Sequence, residues 1–492
     1  MKYLPLIFAI LAVSPFTTFA QTKIDIGQKN DRKDVLTKDA ENWIITDGPS
    51  SSQRYNVVTF TLRPGATGGT LAGALWKGGI DTGATLVTDG VIIKGAQGVP
   101  ELQLTLSGLT PGKHSLVTFH NFTSPQDSGR YSLSVDGTIQ VPAITPPHRI
   151  LSDYDAATTF VEFTATAGKD VVISFKAEKP ADMLILNGLL LDGTDPAKQI
   201  AKPLPAPSDE HVAEKPTLTW RAGKTAISHD IYFGTDLAAV ENATHASPEF
   251  KGNQKSSEYA TAADDSWLNY FWRVDEINSD SPTPVKGTVS RFRVAHLAFP
   301  EAEGYGRFAI GGRGGKLLEV TNLNDSGPGS LRAAVDADFP RTIVFRVGGT
   351  INLKSKLVVS HPYCTIAGQT APGDGILLRG WTSAAYGTHD VILRYLRVRI
   401  GDENITLDGS GLGSCDYSIM DHCSISWSID ESFSSRGAKN ITLQRTLISE
   451  ALNMSIHDHY VGTGKGHSFA ARISGDFGSF HHNLLVNCAG RV

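Results

Sequence analysis

The sequence predicts an all-β protein in which two β-sandwich domains precede a parallel β-helix. Glycine is abundant, with 49 among 492 residues, and few stretches carry a strong helical pattern, which favours β architecture. Short runs of alternating apolar and polar residues recur along the chain, separated by turn signals such as Thr110-Pro111-Gly112. Beyond residue 299 such runs recur at intervals of roughly 22 to 27 residues, as expected for a stack of short coils.

The overall composition narrows the range of binding partners. Hydrophobic residues make up 40% and charged residues 19% of the chain, and the formal net charge is −5. This balance argues against the broad basic field of a nucleic-acid-binding protein, so a polyanionic ligand would need local cations or clustered arginines. The sequence leaves buried free thiols and disulfide bridges equally open for the four cysteines, Cys364, Cys415, Cys423 and Cys488.

Residues 1–20 predict a secretory signal peptide. Lys2 supplies the positive charge, Leu4 to Val13 form a short apolar core, and Thr18-Phe19-Ala20 resembles a cleavage site. That core is too short for a stable membrane helix, and no later stretch is long and apolar enough to be one. We therefore expect a secreted protein, extracellular or periplasmic, without a membrane span.

Residues 22–195 predict the first β-sandwich. The segments FVEFTATAGKDVVISFKAE and ILNGLLLDG resemble malectin-like or galactose-binding-like domains, which makes this domain a candidate carbohydrate-binding module. Trp43 and Trp76 could stack on sugar rings, although packing in the core is the favoured interpretation. The Pro-rich residues 196–208 are expected to form a linker.

Residues 209–296 predict the second β-sandwich. Its segments TLTW, HDIYFGTD, NYFWRVDEIN and SRFRV resemble a fibronectin type III module, for which a spacer role is expected. The residues expected to face inward are Trp220, Tyr232, Trp272 and Phe292.

The third domain is expected at residues 299–492, with strand-like runs stacked in register. These runs are Cys364–Ile366, Val391–Val398, Tyr417–Ile425, Asn440–Leu447 and Ser479–Val486. The last interval is longer, which indicates a loop inserted at residues 462–476. Asn404, Asn440 and Asn483 lie near turns, where their side chains could form hydrogen bonds between coils.

The stretch Cys415–Glu431 is interpreted as one complete rung of this stack. Period-two alternation places Ser418, Ser424 and Ser426 on the face opposite to an apolar set. That apolar set, expected to point inward, comprises Ile419, Cys423, Ile425 and Trp427. Asp421 shares this parity and is expected to be a paired structural carboxylate, whereas Asp430 and Glu431 lie at the following turn.

Six ordered motifs of the third domain resemble the pectate lyase family, in its bacterial polysaccharide lyase 1 branch. They are AEGYGRFAIGGRGGKLLEVTNLNDSGPGSLRAAV, RTIVFRVGGTI, TIAGQTAPGDGI, VILRYLRVRIGDE, IMDHCSISWSIDE and FHHNLLVNCAGR. The resemblance implies a right-handed parallel β-helix, a monomer, and β-elimination on polygalacturonate (pectate) assisted by Ca²⁺. Since Ca²⁺ takes about six to eight oxygen ligands, a carboxylate cluster is the feature to find.

The resemblance also assigns roles to individual residues. Arg491 corresponds to the catalytic arginine. The metal ligands implied are Asp408 and Glu431, followed by Asp430 and then Asp402. The substrate-binding residues implied are His457, Lys465, Arg397 and Arg399. Each assignment has an alternative. An acidic pair at a turn, such as Asp430-Glu431, is more often simply solvated. Arg491 could be an ordinary surface arginine, and His457 and Lys465 could be exposed loop residues.

One departure from the family concerns the end of the domain. The family's β-helix continues beyond the catalytic arginine, whereas this sequence ends at Val492, so the expected helix is truncated and the domain C-terminally incomplete. Two rival functions stay open, and the truncation bears on the first of them. One is a non-catalytic carbohydrate-binding β-helix protein, and the other is a β-helix polygalacturonan hydrolase, which would need aspartates placed for hydrolysis.

Overall fold

The computed structural model describes residues 21–28, 37, 39–76 and 84–491. The expected signal peptide at residues 1–20 lies outside this range. The chain divides into two compact units, each described here by itself. Unit one comprises residues up to 208, 217–261 and 270–291, and unit two comprises residues 209–216, 262–269 and 292 onward. Within the described residues, no helix has the length and apolarity needed to cross a membrane.

Unit one begins as a β-sandwich, at the positions where the sequence alternates. Its strands are β1 (Thr22–Gln28), β2 (Glu41–Ile45), β3 (Ser51–Tyr55), β4 (Val58–Pro64), β5 (Thr70–Leu75), β6 (Asp89–Lys94), β7 (Glu101–Ser107), β8 (Gly112–His120), β9 (Tyr131–Val135), β10 (Thr138–Ile144), β11 (Ala157–Ala165), β12 (Val171–Ala177), β13 (Ile185–Leu186), β14 (Gly188–Leu191) and β15 (Ala201–Leu204). Strands β1 to β14 form sheets in the orders β11-β8-β14-β1-β2, β10-β9-β12-β7-β4-β3 and β13-β6-β5.

Trp43 belongs to the core of this sandwich. Its side chain is fully buried, and its indole Nε1 donates to Ser51 Oγ at 2.9 Å. The ring packs edge-on against Phe60, with centroids 6.5 Å apart. Core packing is therefore the role that the structure gives Trp43, whereas Trp76 is half-buried.

Two buried carboxylates in this sandwich make its stability depend on pH. Burial raises the pKa of Asp89 to about 8, with a further contribution from the charge of Asp25, and burial raises the pKa of Asp25 to about 6. Among the described residues, neither Asp25 Oδ1 nor Asp89 Oδ1 has a hydrogen-bonding partner. The fold therefore favours a protonated Asp89.

We expect unit one to lose stability as the pH rises from about 4 to about 8, by about 1.4 kcal/mol per pH unit from Asp89. The sign follows because a carboxyl group with a raised pKa stabilises the fold below its ordinary pKa, and this stabilisation is lost as the group ionises. Asp89→Asn should flatten the dependence, as followed by thermal unfolding across this range. Asp170→Asn, at an exposed site, is the control, and identical slopes for Asp89→Asn and the parent chain would contradict the prediction.

The following elements cover residues 209–294. They are β16 (Asp209–Val212), β17 (Thr217–Arg221), β18 (Ala226–Gly234), α1 (Leu237–Asn242), β19 (Phe250–Gln254), β20 (Glu258–Ala260), β21 (Tyr270–Asn278) and β22 (Ser290–Val294). In unit one, β18 pairs with β19 and β21, and β17 pairs with β15 and β20. The segment 196–208, expected as a linker, thus contributes strand β15. The residues expected to face inward are all buried: Trp220, Tyr232, Trp272 and Phe292.

Unit two contains a parallel β-helix. Its elements are β23 (Lys316–Val320), α2 (Leu331–Val335), β24 (Arg341–Phe345), β25 (Gly349–Asn352), β26 (Leu357–Val359), β27 (Cys364–Ala367), β28 (Ile376–Arg379), β29 (Ser383–Tyr386), β30 (Val391–Arg394), β31 (Leu396–Arg399), β32 (Ser410–Gly413), β33 (Asp416–Asp421), β34 (Ser424–Ser426), β35 (Glu431–Ser434), β36 (Ala438–Gln444), β37 (Leu447–Ser449), β38 (Phe469–Arg472), β39 (Gly475–His481) and β40 (Leu484–Val486).

These strands form three sheets of seven, six and five strands, and the coils from β24 to β38 each contribute one strand to each sheet. The first sheet has the order β23-β24-β27-β30-β33-β36-β39, the second β25-β28-β31-β34-β37-β40, and the third β26-β29-β32-β35-β38. In the first sheet Ile392 pairs with Ile419, Ile419 with Thr442, and Thr442 with Ser479. The predicted stacking of runs is therefore confirmed. The last interval is longer, as expected, but the loop bounds of 462–476 were wrong, because β38 (Phe469–Arg472) lies inside them and the insertion falls between β37 and β38.

Corners with left-handed backbone separate the first sheet from the second. They are occupied by Tyr395, His422, Arg445 and His482, whose φ values are 55°, 51°, 49° and 56°. Such values cost non-glycine residues roughly 1–2 kcal/mol each, so the corners are held by the packing of the coils. Each corner turns the strand, so the inward parity changes there. Met420 before the corner and Cys423 and Ile425 after it line the helix core.

This change of parity corrects the expected arrangement of the Cys415–Glu431 rung. Ile419 is fully buried, but it packs outside the helix core against Phe299 and Ile392. The segment 298–310, called the covering segment below, lies over this outer face of the first sheet. Asp421 lies on that face, fully buried and paired as expected of a structural carboxylate. Trp427 lies at the next corner and is 48% exposed, so its inward assignment was wrong.

Asparagine side chains link successive coils, as the sequence predicts. Asn404 Nδ2 donates to Gly380 O at 2.7 Å, Asn440 Nδ2 to Asp416 Oδ1 at 2.9 Å, and Asn483 Nδ2 to Leu443 O at 2.9 Å. These bonds satisfy polar groups at the turns, where ladder pairing is interrupted. All four cysteines are free thiols, and burial raises the pKa of Cys364 to about 11 and that of Cys423 to about 12.

Candidate active site

Three carboxylates converge where the chain enters the third sheet of the β-helix. Oxygen atoms of Asp408, Asp430 and Glu431 all lie within 4.8 Å of one another. Two backbone hydrogen bonds join the segments that carry them. The Gly409 N–H donates to Glu431 O at 2.8 Å, and the Asp430 N–H donates to Leu407 O at 3.2 Å.

A glycine allows these two segments to approach each other. A Cβ atom at residue 409 would lie 2.5 Å from both Ser428 Oγ and the backbone oxygen of Ser432, which is closer than any side chain tolerates. Thr382 Oγ1 donates to the backbone oxygen of Asp408 at 2.7 Å and so holds the other side of the segment. The position of Asp408 beside Asp430 is thus determined by backbone packing.

The charges in this cluster are incompletely balanced. Burial raises the pKa of Asp408 to about 6, and the charge of Asp430 raises it further, against the effects of Lys356, Arg472 and Arg491. Glu431 is buried. A cluster of hard carboxylate oxygens with residual negative charge suits Ca²⁺. Because Ca²⁺ binds oxygen at about 2.3–2.6 Å, one ion can contact ligand atoms spaced as these are.

Arg491 lies directly against this cluster. Its guanidinium forms an ion pair with Glu431, and it sits over the Phe469 ring at 4.2 Å from the centroid. Strand pairing brings Arg491 to this position. Glu431 pairs with Phe469 in the third sheet, and Phe469 forms a β-bridge with Gly490, the residue before Arg491. The side chain of Arg491 remains 43% exposed, so a substrate can reach it.

Two histidines also approach Asp430, and the sequence pointed to one of them. His467, which was not predicted, is buried and its Nε2 lies 2.6 Å from Asp430 Oδ1. His457 is buried as well, with Nε2 at 3.9 Å from the same oxygen, so it lies beside the acidic cluster. Lys465 is exposed in the intervening loop. No motif marked His467, because it lies between the segments IMDHCSISWSIDE and FHHNLLVNCAGR.

The other predicted residues lie apart from the cluster. Arg397 and Arg399 are on β31 of the second sheet, and Arg399 donates to the backbone oxygens of Val398 and Ser424 at 2.8 and 2.9 Å. Asp402 is exposed and does not belong to the group of three carboxylates. Glu403, its neighbour, forms an ion pair with Arg379.

Comparison with known proteins gives relatives for part of the chain. No protein-family model matches it. A segment of 164 residues is 49% identical to the probable pectate lyase C of Emericella nidulans, covering 33% of this chain and 38% of that protein. A segment of 208 residues is 46% identical to the probable pectate lyase C of Aspergillus terreus, covering 40% of this chain and 49% of that protein. The chain therefore spans less than half the length of these curated relatives.

Solved structures also include a partial likeness. The crystal structure of jun a 1, the major allergen from cedar pollen, is 22% identical with a TM-score of 0.26. The match covers 30% of this chain and 49% of that one.

Proposed function

We propose that this protein is a secreted pectate lyase that cleaves polygalacturonate by calcium-assisted β-elimination. The observation that carries the proposal is the convergence of Asp408, Asp430 and Glu431 with Arg491 on one edge of the β-helix. The identity of 46 to 49% with proteins named probable pectate lyase supports the same reaction. In this reaction the C5 proton of a galacturonate is removed, the C4–O bond breaks, and a double bond forms between C4 and C5.

The donor set of the cluster fits the ion that this chemistry requires. We assign Asp408, Asp430 and Glu431 as its protein ligands, since all three offer carboxylate oxygens. A bound Ca²⁺ ion would neutralise the uronate carboxylate and make the C5 proton more acidic. The buried His467 positions Asp430 through the contact of its Nε2 with Asp430 Oδ1 at 2.6 Å.

We assign Arg491 as the residue that acts at C5, the carbon that loses its proton. Its guanidinium can stabilise the negative charge that develops when the C5 proton leaves, and by resemblance it also receives that proton. A guanidinium ordinarily keeps its own proton, so charge stabilisation is the contribution that follows most directly from its chemistry. Phe469 restricts the side chain from one face.

The test is to incubate the full chain with polygalacturonate, with added Ca²⁺ or with a chelator. We expect ultraviolet absorbance from unsaturated ends to rise with Ca²⁺ and to vanish with the chelator. New reducing ends without this absorbance would indicate a hydrolase instead, and binding without cleavage would indicate a non-catalytic protein.

Two aspartates offer a matched comparison for the metal site. We expect Asp408→Asn to raise the Ca²⁺ concentration needed for half-maximal activity at least about tenfold, since a ligand is lost from the cluster. Asp402→Asn, which changes an exposed aspartate outside the cluster, should alter this Ca²⁺ concentration less than twofold. Equal effects of the two substitutions would contradict the assigned ligand set.

A further inference from the structure

A second cluster of metal-ligating side chains lies on the outer face of the first sheet, away from the carboxylate site. His481 ends β39, His482 occupies the corner that follows, and Glu303 belongs to the covering segment. His481 Nδ1 and His482 Nδ1 are 2.9 Å apart. Glu303 Oε2 lies 3.6 Å from the first of these atoms and 3.9 Å from the second.

This triangle has the dimensions of one face of a metal coordination shell. Zinc binds imidazole nitrogen at about 2.0–2.1 Å and carboxylate oxygen at about 2.0–2.2 Å, so tetrahedral ligands are spaced by about 3.3–3.4 Å. The three observed separations lie on both sides of that value. Two imidazoles with one carboxylate suit zinc, copper, cobalt or nickel, whereas Ca²⁺ prefers oxygen ligands alone.

The ligand atoms are held in place by their surroundings. The Glu303 N–H donates to Gln444 Oε1 at 3.1 Å, and Glu303 O accepts from Thr442 Oγ1 at 2.9 Å. Arg445 approaches the other carboxylate oxygen of Glu303, Oε1, at 3.5 Å. Oε2 is therefore the oxygen that faces the histidines. Among the described residues His481 Nε2 has no hydrogen-bonding partner, so the polar contacts of this ring are made by Nδ1.

The site is open to solvent on the side away from the sheet. The side chains of Glu303 and His482 are 52% and 63% exposed, whereas that of His481 is 26% exposed. An ion can therefore enter without movement of the backbone, and water can complete its coordination. An ion held there would join the covering segment to the last strand of the first sheet.

We propose that Glu303, His481 and His482 bind a divalent transition-metal ion of the zinc class, which clamps the covering segment onto the first sheet. The clamp is structural, so it stands or falls independently of the lyase activity. By linkage, an ion that binds only the folded state raises the unfolding temperature as its concentration exceeds the dissociation constant. The stabilisation therefore reports binding without any measurement of catalysis.

The test uses the full chain without a polyhistidine tag, with Ca²⁺ present to occupy the carboxylate cluster. Zn²⁺ alone is titrated by calorimetry and by thermal unfolding, and Co²⁺ is titrated to detect visible absorption bands from tetrahedral coordination. We expect one Zn²⁺ per chain at this cluster and an upward shift of several degrees. Glu303→Gln and His482→Ala, both at exposed side chains, should weaken Zn²⁺ binding at least about tenfold and remove the shift.

Two histidine variants serve as controls. His361→Ala removes a surface histidine that pairs with Asp338 at 2.8 Å, and His457→Ala disrupts the histidine pair beside Asp430. Both should bind Zn²⁺ as the parent chain does. The proposal is overturned if the parent chain shows no Zn²⁺-dependent shift, if His482→Ala keeps full affinity, or if the ion is lost on His457→Ala instead.

Discussion

Replacing Arg491 by alanine is expected to lower kcat on polygalacturonate by about 10³-fold. The guanidinium stands beside Glu431 at the carboxylate cluster, where the proposed elimination would develop negative charge. Removing one such preorganised group typically costs about 10²–10³ in rate. Arg491→Lys keeps a positive charge but loses the planar, multiply donating head group. It should therefore retain more activity than the alanine variant, by about tenfold.

Arg346 provides the control for this substitution. It is a surface arginine of the same unit, paired with Glu319 as Arg491 is paired with Glu431. Arg346→Ala should leave kcat within about twofold of the parent value, because the pair is distant in the sequence and in sheet order from the carboxylate cluster. A value of kcat for Arg491→Ala within tenfold of the parent chain would remove Arg491 from the reaction.

Replacing Asp421 by alanine is expected to cost about 3–5 kcal/mol of folding free energy in unit two. The carboxylate is fully buried and accepts from Arg394 Nε at 2.7 Å and from Gln444 Nε2 at 2.7 Å. Its removal leaves the Arg394 guanidinium without its buried counter-charge, which is the costly half of a broken pair. Arg394 also lies over the Phe299 ring at 3.7 Å, so the covering segment should loosen as well.

Hydrogen exchange across β30, β33 and β36 should locate this loss in the first sheet. Glu319→Gln breaks an exposed ion pair on the same sheet and should leave the unfolding midpoint nearly unchanged. Equal protection of β33 in the parent chain and in Asp421→Ala would contradict the prediction.

The folding free energy that Asp421 contributes should also depend on pH. Burial acts to raise the pKa of this carboxyl, but hydrogen bonds from His422, Gln444 and Arg394 outweigh it and hold the pKa below its usual range. A depressed pKa means that the stabilisation is complete above the ordinary value of about 4 and is lost as the pH falls through the folded value. The difference between the parent chain and Asp421→Ala should therefore shrink below about pH 4.

The sequence predicted the strands that alternate on a buried face and missed those that do not. The segment FVEFTATAGKDVVISFKAE, for example, contains most of β11 and all of β12, in which buried residues alternate with less buried ones. Strand β3 is largely exposed and polar along its length, so its sequence carries no periodic signal. The corners of the β-helix were missed for a different reason. Tyr395 and His422 adopt left-handed backbone without being glycine, and only the stacking of coils imposes that conformation.

The residues of the candidate site could be predicted where they are neighbours within one motif. They could not be predicted where strand pairing brings together residues that are far apart in the sequence. Asp430 and Glu431 are adjacent in the sequence, and the resemblance brought Asp408 to them. The resemblance ranked Asp402 last among the implied ligands, and the backbone pairing of Gly409 with Glu431 is what brings Asp408 rather than Asp402 into the cluster. Phe469 reaches Arg491 through a bridge in the third sheet, and this proximity depends on register, which motif spacing does not reveal.

The excursion between β37 and β38 has a consequence for how such a protein can diversify. The Leu452 N–H still donates to Ser428 O at 2.9 Å, so the chain leaves the stack only after Leu452, and the loop closes where the His467 N–H donates to Asn453 O at 2.9 Å. Leu447 still pairs with Leu484, and Glu431 with Phe469. The strand pairing on either side of this loop therefore does not depend on how many residues the loop contains. The loop beside the carboxylates can therefore be lengthened or shortened while the coils on either side of it keep their register.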